Sequence, residues 1–63
     1  MNKVEMRMAE LAEYCQQFGC NEHEALYEIL FEFYTCAGFA EEPLKDELAS
    51  MSDDELMKSY LLL

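Results

Sequence analysis

The sequence is poor in the residues that mark several functional classes. It has no tryptophan, one proline, two glycines and only four basic side chains among 63 residues. Four scattered cations cannot form the basic stripe of a nucleic-acid-binding domain, so we expect no direct contact with nucleic acid. No apolar run reaches the length of a signal peptide or a membrane span, so we also expect no membrane contact.

Cysteine is scarce as well, and its number is odd. Three cysteines are too few for a disulfide framework, which predicts a cytoplasmic protein with reduced thiols. A domain this short buries only about 60% of the surface that its unfolded chain exposes. Such domains usually need disulfides, a metal or a partner subunit. By elimination, we expect self-association as a homodimer.

Acidic residues dominate what is present. The chain has 14 of them and a formal net charge of −10. Strong charge alone would favour disorder, but a hydrophobic content of 52% argues against it. The composition therefore predicts one small folded domain over residues 1–63, with a very acidic surface.

The spacing of apolar residues follows the helical period and shows no strand-like alternation. It predicts helices over about 3–18, 22–37, 43–50 and 53–62. Three polar residues just before these segments are each followed three positions later by Glu, as in a capping box: Asn2, Asn21 and Ser52. Gly19 and Gly38 fit the ends of the first two helices, and Pro43 suits the first turn of the third. We therefore predict an all-α fold, a small bundle of three to four helices, with two long antiparallel helices and a short C-terminal helical pair.

The apolar face of the first helix is predicted from six residues with helical spacing: Val4, Met8, Leu11, Ala12, Cys15 and Phe18. The second helix has a much wider apolar arc of about 240°. Tyr27, Phe31 and Tyr34 form an aromatic stripe along one flank of that arc. Either the other helices of the chain cover this stripe or a partner protein does. Because aromatic residues are enriched in interface cores, we predict a partner-binding surface there, with the second helix near the two-fold axis of a dimer.

The polar side of the second helix carries a ladder of carboxylates. Glu24, Glu28 and Glu32 fall within about 80° of the helical wheel and are about 6 Å apart along it. Together with Asp53 and Asp54 they form the predicted acidic surface. Such a ladder is usually a solvated face. The alternative is a nucleic-acid mimic, in which the ladder occupies the basic groove of a DNA- or RNA-binding protein.

Cys15, Cys20 and His23 are weak candidates for a metal site, since Cys and His are the usual zinc ligands. Cys36 cannot join them, because thirteen helical residues separate it from His23 by roughly 20 Å. The spacing matches zinc motifs poorly, and free cysteines are often small core residues. We therefore predict no metal and no cofactor.

The sequence has no motif of catalysis, such as a glycine-rich phosphate loop or a Cys-x-x-Cys pair. A chain of this length also offers little room for a substrate cleft. We therefore expect that the protein is not an enzyme. The sequence favours a protein-binding regulator or inhibitor that acts as a small acidic helical homodimer.

Overall fold

The computed structural model describes residues 2–63, and over this range the chain forms four helices and no strand. They are α1 (Lys3–Phe18), α2 (Glu22–Cys36), α3 (Glu41–Ser50) and α4 (Asp53–Leu61). The long helices α1 and α2 are joined by a three-residue turn and pack against each other as antiparallel neighbours. The short helices α3 and α4 both pack on α2. The all-α prediction, with two long helices and a short helical pair, is confirmed.

Three helices begin at the caps that the sequence predicts. The backbone N–H of Glu5 donates to the side-chain oxygen of Asn2 at 2.8 Å, and that of Glu24 donates to Asn21 at 2.8 Å. At α4, Ser52 accepts from the Glu55 N–H at 3.3 Å. These bonds satisfy N–H groups that have no partner inside the helix. Three of the four helix starts are thus determined locally.

The boundaries of α2, α3 and α4 differ slightly from the predicted ones. Helix α2 stops at Cys36 and α4 at Leu61, one residue earlier than expected in each case. Helix α3 begins at Glu41, two residues before Pro43. This start is possible because the first four N–H groups of a helix have no internal partner, so proline at the third position loses no helical bond.

The core is small and almost purely aliphatic. Its buried members come from all four helices: Leu11, Ala25, Leu26, Leu30, Leu44, Leu48, Leu56 and Tyr60. Helix α2 supplies three of them, including Leu30 at the middle of the helix. Since the other three helices contribute one or two each, α2 is the central helix of the bundle.

The predicted apolar face of α1 is only partly buried. Leu11 is buried and Cys15 is half-buried, as expected. The prediction is wrong for the other four members, which are exposed: Val4, Met8, Ala12 and Phe18. The core of a chain this short covers only the middle of a 16-residue helix, and both ends of α1 extend beyond it.

The C-terminal leucines pack mainly within the chain. Leu61 and Leu63 are half-buried against the core, whereas Leu62 is 83% exposed. The Tyr60 hydroxyl donates to the backbone oxygen of Arg7 at 2.6 Å, and this bond ties α4 to α1. Among the described residues, no helix is both long enough and apolar enough to span a membrane.

Candidate functional site

Several apolar side chains of α1 and α2 that are far from the Gly19 turn are exposed. On one side of α2, Ala25 is fully buried, Ile29 is half-buried and Cys36 is exposed. Phe33, three residues before Cys36, has 49% of its surface exposed. This side of α2 is therefore covered at its first turns and open at its last ones.

The apolar face of α1 changes in the same way. Leu11 is buried, whereas Val4 and Met8 are 50% and 41% exposed. Because α1 and α2 are antiparallel, the first turns of α1 lie at the same end of the bundle as the last turns of α2. Ile29, Phe33 and Cys36 line one open hollow on α2, and these three residues, together with Val4 and Met8 of α1, are named the apolar end below.

The predicted aromatic stripe lies on a different flank of α2 and is half-buried. The rings of Tyr27 and Phe31 stack with centroids 6.3 Å apart, and the Lys45 ammonium lies 5.8 Å from the centre of the Phe31 ring. Tyr34 packs edge-on against Phe39, with centroids 5.2 Å apart. Helix α3 and the loop before it therefore contact two members of the stripe, and Tyr27 is left beside the α1–α2 turn.

An open hollow of about 360 Å³ lies beside that turn. The residues that define this turn hollow are three aromatic and two acidic side chains: Tyr14, Phe18, Tyr27, Glu24 and Glu28. The Tyr14 and Phe18 rings, one helical turn apart on α1, have centroids 4.6 Å apart. Cys20 and His23 also line the hollow. Three aromatic side chains and two carboxylates thus meet in this hollow.

The acidic surface is largely without cations. All 14 acidic side chains are exposed, including Glu24, Glu28 and Glu32 along one side of α2. Within residues 2–63, Arg7 pairs with Glu10 at 3.6 Å, and His23 Nδ1 lies 2.5 Å from a carboxylate oxygen of Asp53. Most carboxylates therefore face water, and their summed charge gives the surface a strongly negative potential.

A tyrosine beside the carboxylate ladder has a raised pKa. Burial raises the pKa of the Tyr14 hydroxyl, and the Glu32 and Glu28 carboxylates raise it further. Glu24 has a second role, because its carboxylate accepts from the Asn21 side-chain N–H at 3.0 Å and completes the cap of α2. The ladder is therefore exposed to partners and also takes part in the fold.

Two residues from different predicted sites, His23 of the metal candidates and Asp53 of the acidic surface, contact each other. His23 lies at the start of α2, and its Nδ1 is 2.5 Å from a carboxylate oxygen of Asp53 at the start of α4. His23 is thereby directed to α4. Within residues 2–63, no three His, Cys, Asp or Glu side chains come together in a way that could hold a metal ion.

The cysteines differ in their surroundings. Cys15 and Cys20 lie together at the α1–α2 turn, where the Cys20 N–H donates to the Cys15 carbonyl at 3.2 Å. Both are half-buried against the core, and Cys36 is exposed. Burial raises the pKa of the Cys15 thiol, and contact with the Cys20 thiol adds to the effect. Cys15 is therefore a poor nucleophile, since the thiolate is the reactive form.

Sequence reasoning missed two features of this surface. Tyr14 and Phe18 form one wall of the turn hollow, and their i, i+4 spacing just before a turn was the available signal. Phe33 also belongs to the wide apolar arc of α2, yet it is half exposed. No local pattern signals that exposure, because burial depends on how the neighbouring helices pack.

The fold and the surface together define a small acidic four-helix domain with an apolar end and an aromatic, carboxylate-lined hollow. Comparison of the chain with protein-family models, with curated proteins and with solved structures finds no match.

Proposed function

We propose that the protein is a non-catalytic, cytoplasmic protein-binding regulator or inhibitor that acts as a homodimer. The observation that carries the proposal is the apolar end, where Phe33 stays half exposed in a chain whose acidic residues all face water. Large exposed apolar patches bordered by polar residues are typical of protein interfaces.

A dimer through the apolar end would need only a modest share of the accessible surface of the chain. The chain has an accessible surface of 4500 Å², and a standard interface buries about 800 Å² from each partner. A dimer would thus bury a little under a fifth of each chain. Three of the five residues of the apolar end lie on α2, and a dimer through them would place this helix near the two-fold axis.

Sedimentation equilibrium tests the dimer. We expect the wild-type chain, of 7.4 kDa, to sediment with twice that mass in 0.15 M salt. Phe33→Asp should give the monomer mass. Phe18→Asp is the matched control, because Phe18 is 62% exposed but lies at the opposite end of α1, and it should leave the dimer intact. A wild-type mass of 7.4 kDa at all concentrations would rule out the dimer.

The remaining surfaces are available for a foreign partner. Tyr27 and the carboxylate ladder lie side by side on α2, so apolar area and negative charge are presented together. Charge of this kind steers a basic partner towards the protein and selects against acidic ones. In this proposal, aromatic contact supplies most of the affinity and charge supplies the selectivity.

The second candidate function is nucleic-acid mimicry. The observation that favours it is the exposure of Glu24, Glu28 and Glu32, with carboxylates about 6 Å apart along α2. A basic groove could bind this ladder in place of a phosphate backbone. Binding of this kind would weaken steeply with salt, through screening.

Affinity capture from the native cell separates the two functions. Matched baits carry the wild-type chain, the double change Tyr27→Ala and Phe31→Ala, or the triple change of the ladder to Gln: Glu24→Gln, Glu28→Gln and Glu32→Gln. Circular dichroism first checks that each bait is helical. We expect the double change to remove the partner and the triple change to weaken its capture without abolishing it. The reverse result, with release by 0.5 M salt, would establish mimicry instead.

A further inference from the structure

The turn hollow combines two features that recognise the same kind of ligand. Its walls are the rings of Tyr14, Phe18 and Tyr27, and Glu24 and Glu28 complete the lining. Aromatic faces attract cations through the ring quadrupole, and the carboxylates attract them by charge. We propose that the turn hollow is the binding site for an arginine side chain presented by a basic partner protein.

The size of the hollow suits a single side chain. Its volume of about 360 Å³ lies near the lower limit of ligand pockets, which is about 300 Å³. Phe18 is 62% exposed and Tyr14 is half-buried, so one wall projects into solvent while its base is anchored in the fold. The hollow is open enough to receive a side chain from another protein without unfolding.

Charge complementarity favours a cation over other occupants. The chain carries 14 acidic and four basic side chains. In addition to burial, the nearby Glu32 and Glu28 carboxylates raise the pKa of the Tyr14 hydroxyl. The cation–ring contacts in the described part of the chain are at other rings, with Arg7 over Tyr60 and Lys45 over Phe31. The rings of the turn hollow are therefore available to a cation from outside.

Arginine fits these walls better than lysine does. Its flat guanidinium can stack on a ring and bind a carboxylate through two parallel N–H bonds at once. The ammonium of lysine is a compact, strongly hydrated point charge and gains less from a flat aromatic wall. The remaining polar neighbour, His23, is already held by Asp53.

This inference rests on the proposed function for the nature of the partner, which is a protein. It also goes further, since it names the side chain that the partner must present. The two can be tested separately, because binding of arginine in the hollow requires neither the apolar end nor the dimer.

The test uses three capped tripeptides as probes, with arginine, lysine or citrulline between two glycines. Citrulline has nearly the shape of arginine but no charge. Binding to the full chain is followed by amide chemical shifts in two-dimensional NMR. We expect the arginine peptide to bind at least about tenfold more tightly than the citrulline peptide, and about threefold more tightly than the lysine peptide. The shifts should centre on the turn hollow.

Matched variants locate the site. Phe18→Ala and Glu28→Gln both change exposed side chains of the hollow, and each should weaken arginine binding about fivefold. Phe39→Ala and Glu47→Gln are the controls, since they change an exposed ring and an exposed acid outside the turn hollow, and should leave binding unchanged. Equal binding of the arginine and citrulline peptides, or equal losses in the control variants, would overturn the proposal. The proposed function fails on different results, namely a monomer and an unaltered set of captured proteins.

Discussion

The hydroxyl of Tyr60 donates a hydrogen bond of 2.6 Å to the backbone oxygen of Arg7, 53 residues earlier in the chain. Tyr60 is 2% exposed, and the Arg7 guanidinium lies 5.9 Å from the centre of its ring. One side chain near the C-terminus thus holds α1 against α4 by a hydrogen bond, by ring burial and by a cation–ring contact. In a core that is otherwise aliphatic, it is the polar link between the two ends of the chain.

Removing this hydroxyl should weaken the fold modestly. We expect Tyr60→Phe to lower the free energy of unfolding by about 1 kcal/mol at pH 7, the usual value of one such hydrogen bond. Urea denaturation followed by circular dichroism measures the change. Tyr27→Phe is the control and should stay within about 0.5 kcal/mol of wild type, because Tyr27 lies at the surface of an open hollow.

The same variant should also change the response to high pH. Burial raises the pKa of the Tyr60 hydroxyl, nearby Glu10 adds to this effect, and Arg7 partly opposes it. The folded chain therefore keeps this proton to a higher pH than the unfolded chain, in which the pKa is about 10. The resulting stabilisation is complete below pH 10 and is lost as the pH rises through the folded-state pKa. Wild type should thus lose more stability between pH 9 and 11 than Tyr60→Phe, and equal losses would contradict this assignment.

The contrast between Leu30 and Phe33 tests the position of the core. Leu30 is fully buried and Phe33 is 49% exposed. Leu30→Ala should cost about 2–5 kcal/mol, a large share of the roughly 3–9 kcal/mol expected for a domain of this length. Phe33→Ala should cost less than about 1 kcal/mol in the monomer at low concentration. Thermal unfolding of both variants measures the difference, and similar midpoints would show that the core is placed incorrectly.

Salt should stabilise this protein. Its 14 acidic groups are exposed and few are paired with a cation, so the folded chain is destabilised by its own charge. We expect NaCl to raise the free energy of unfolding by on the order of 1 kcal/mol between 10 mM and 0.5 M, as the Debye length shortens. Changing Glu24, Glu28 and Glu32 to Gln should reduce this gain. An equal gain in the variant would show that these acids do not repel one another appreciably.

The three thiols should react at different rates. Cys36 is exposed, whereas Cys15 is half-buried and burial raises its pKa. We expect iodoacetamide at pH 7.5 to alkylate Cys36 first and Cys15 last, and a higher pH to speed the reaction of Cys15. Peptide mass mapping of partly modified protein gives the order. In urea the difference between the two should disappear, and a difference that persists would mean that the fold is not its cause.

The capping and turn residues of the sequence predicted most of the helix boundaries well. Asn2, Asn21 and Ser52 each bind the N–H three residues later, and Gly19 adopts the left-handed conformation with φ of 64°. Caps and turns depend on atoms only a few residues apart, so a single sequence contains the information they need. The start of α3 was misjudged because Ala40 gives no side-chain hydrogen bond to mark it.

The candidate site was predicted less well, because it depends on contacts between separate helices. The period of α2 correctly gave one side to carboxylates and the other to apolar residues. It could not tell that α3 would approach Phe31 while Phe33 would stay half exposed. Both are apolar residues of one wide arc, and their burial depends on the positions and lengths of the neighbouring helices.

The scarcity of cations, the excess of acids and the helical period were sufficient by themselves to determine an acidic all-α domain with water-facing carboxylates. Each of these properties follows from composition and from spacings shorter than one helix. Tertiary structure alone decided that Tyr14 and Phe18 would face Tyr27 across the turn, and that Tyr60 would reach Arg7. These contacts join separate helices, and their geometry is set by how a core of eight buried residues packs.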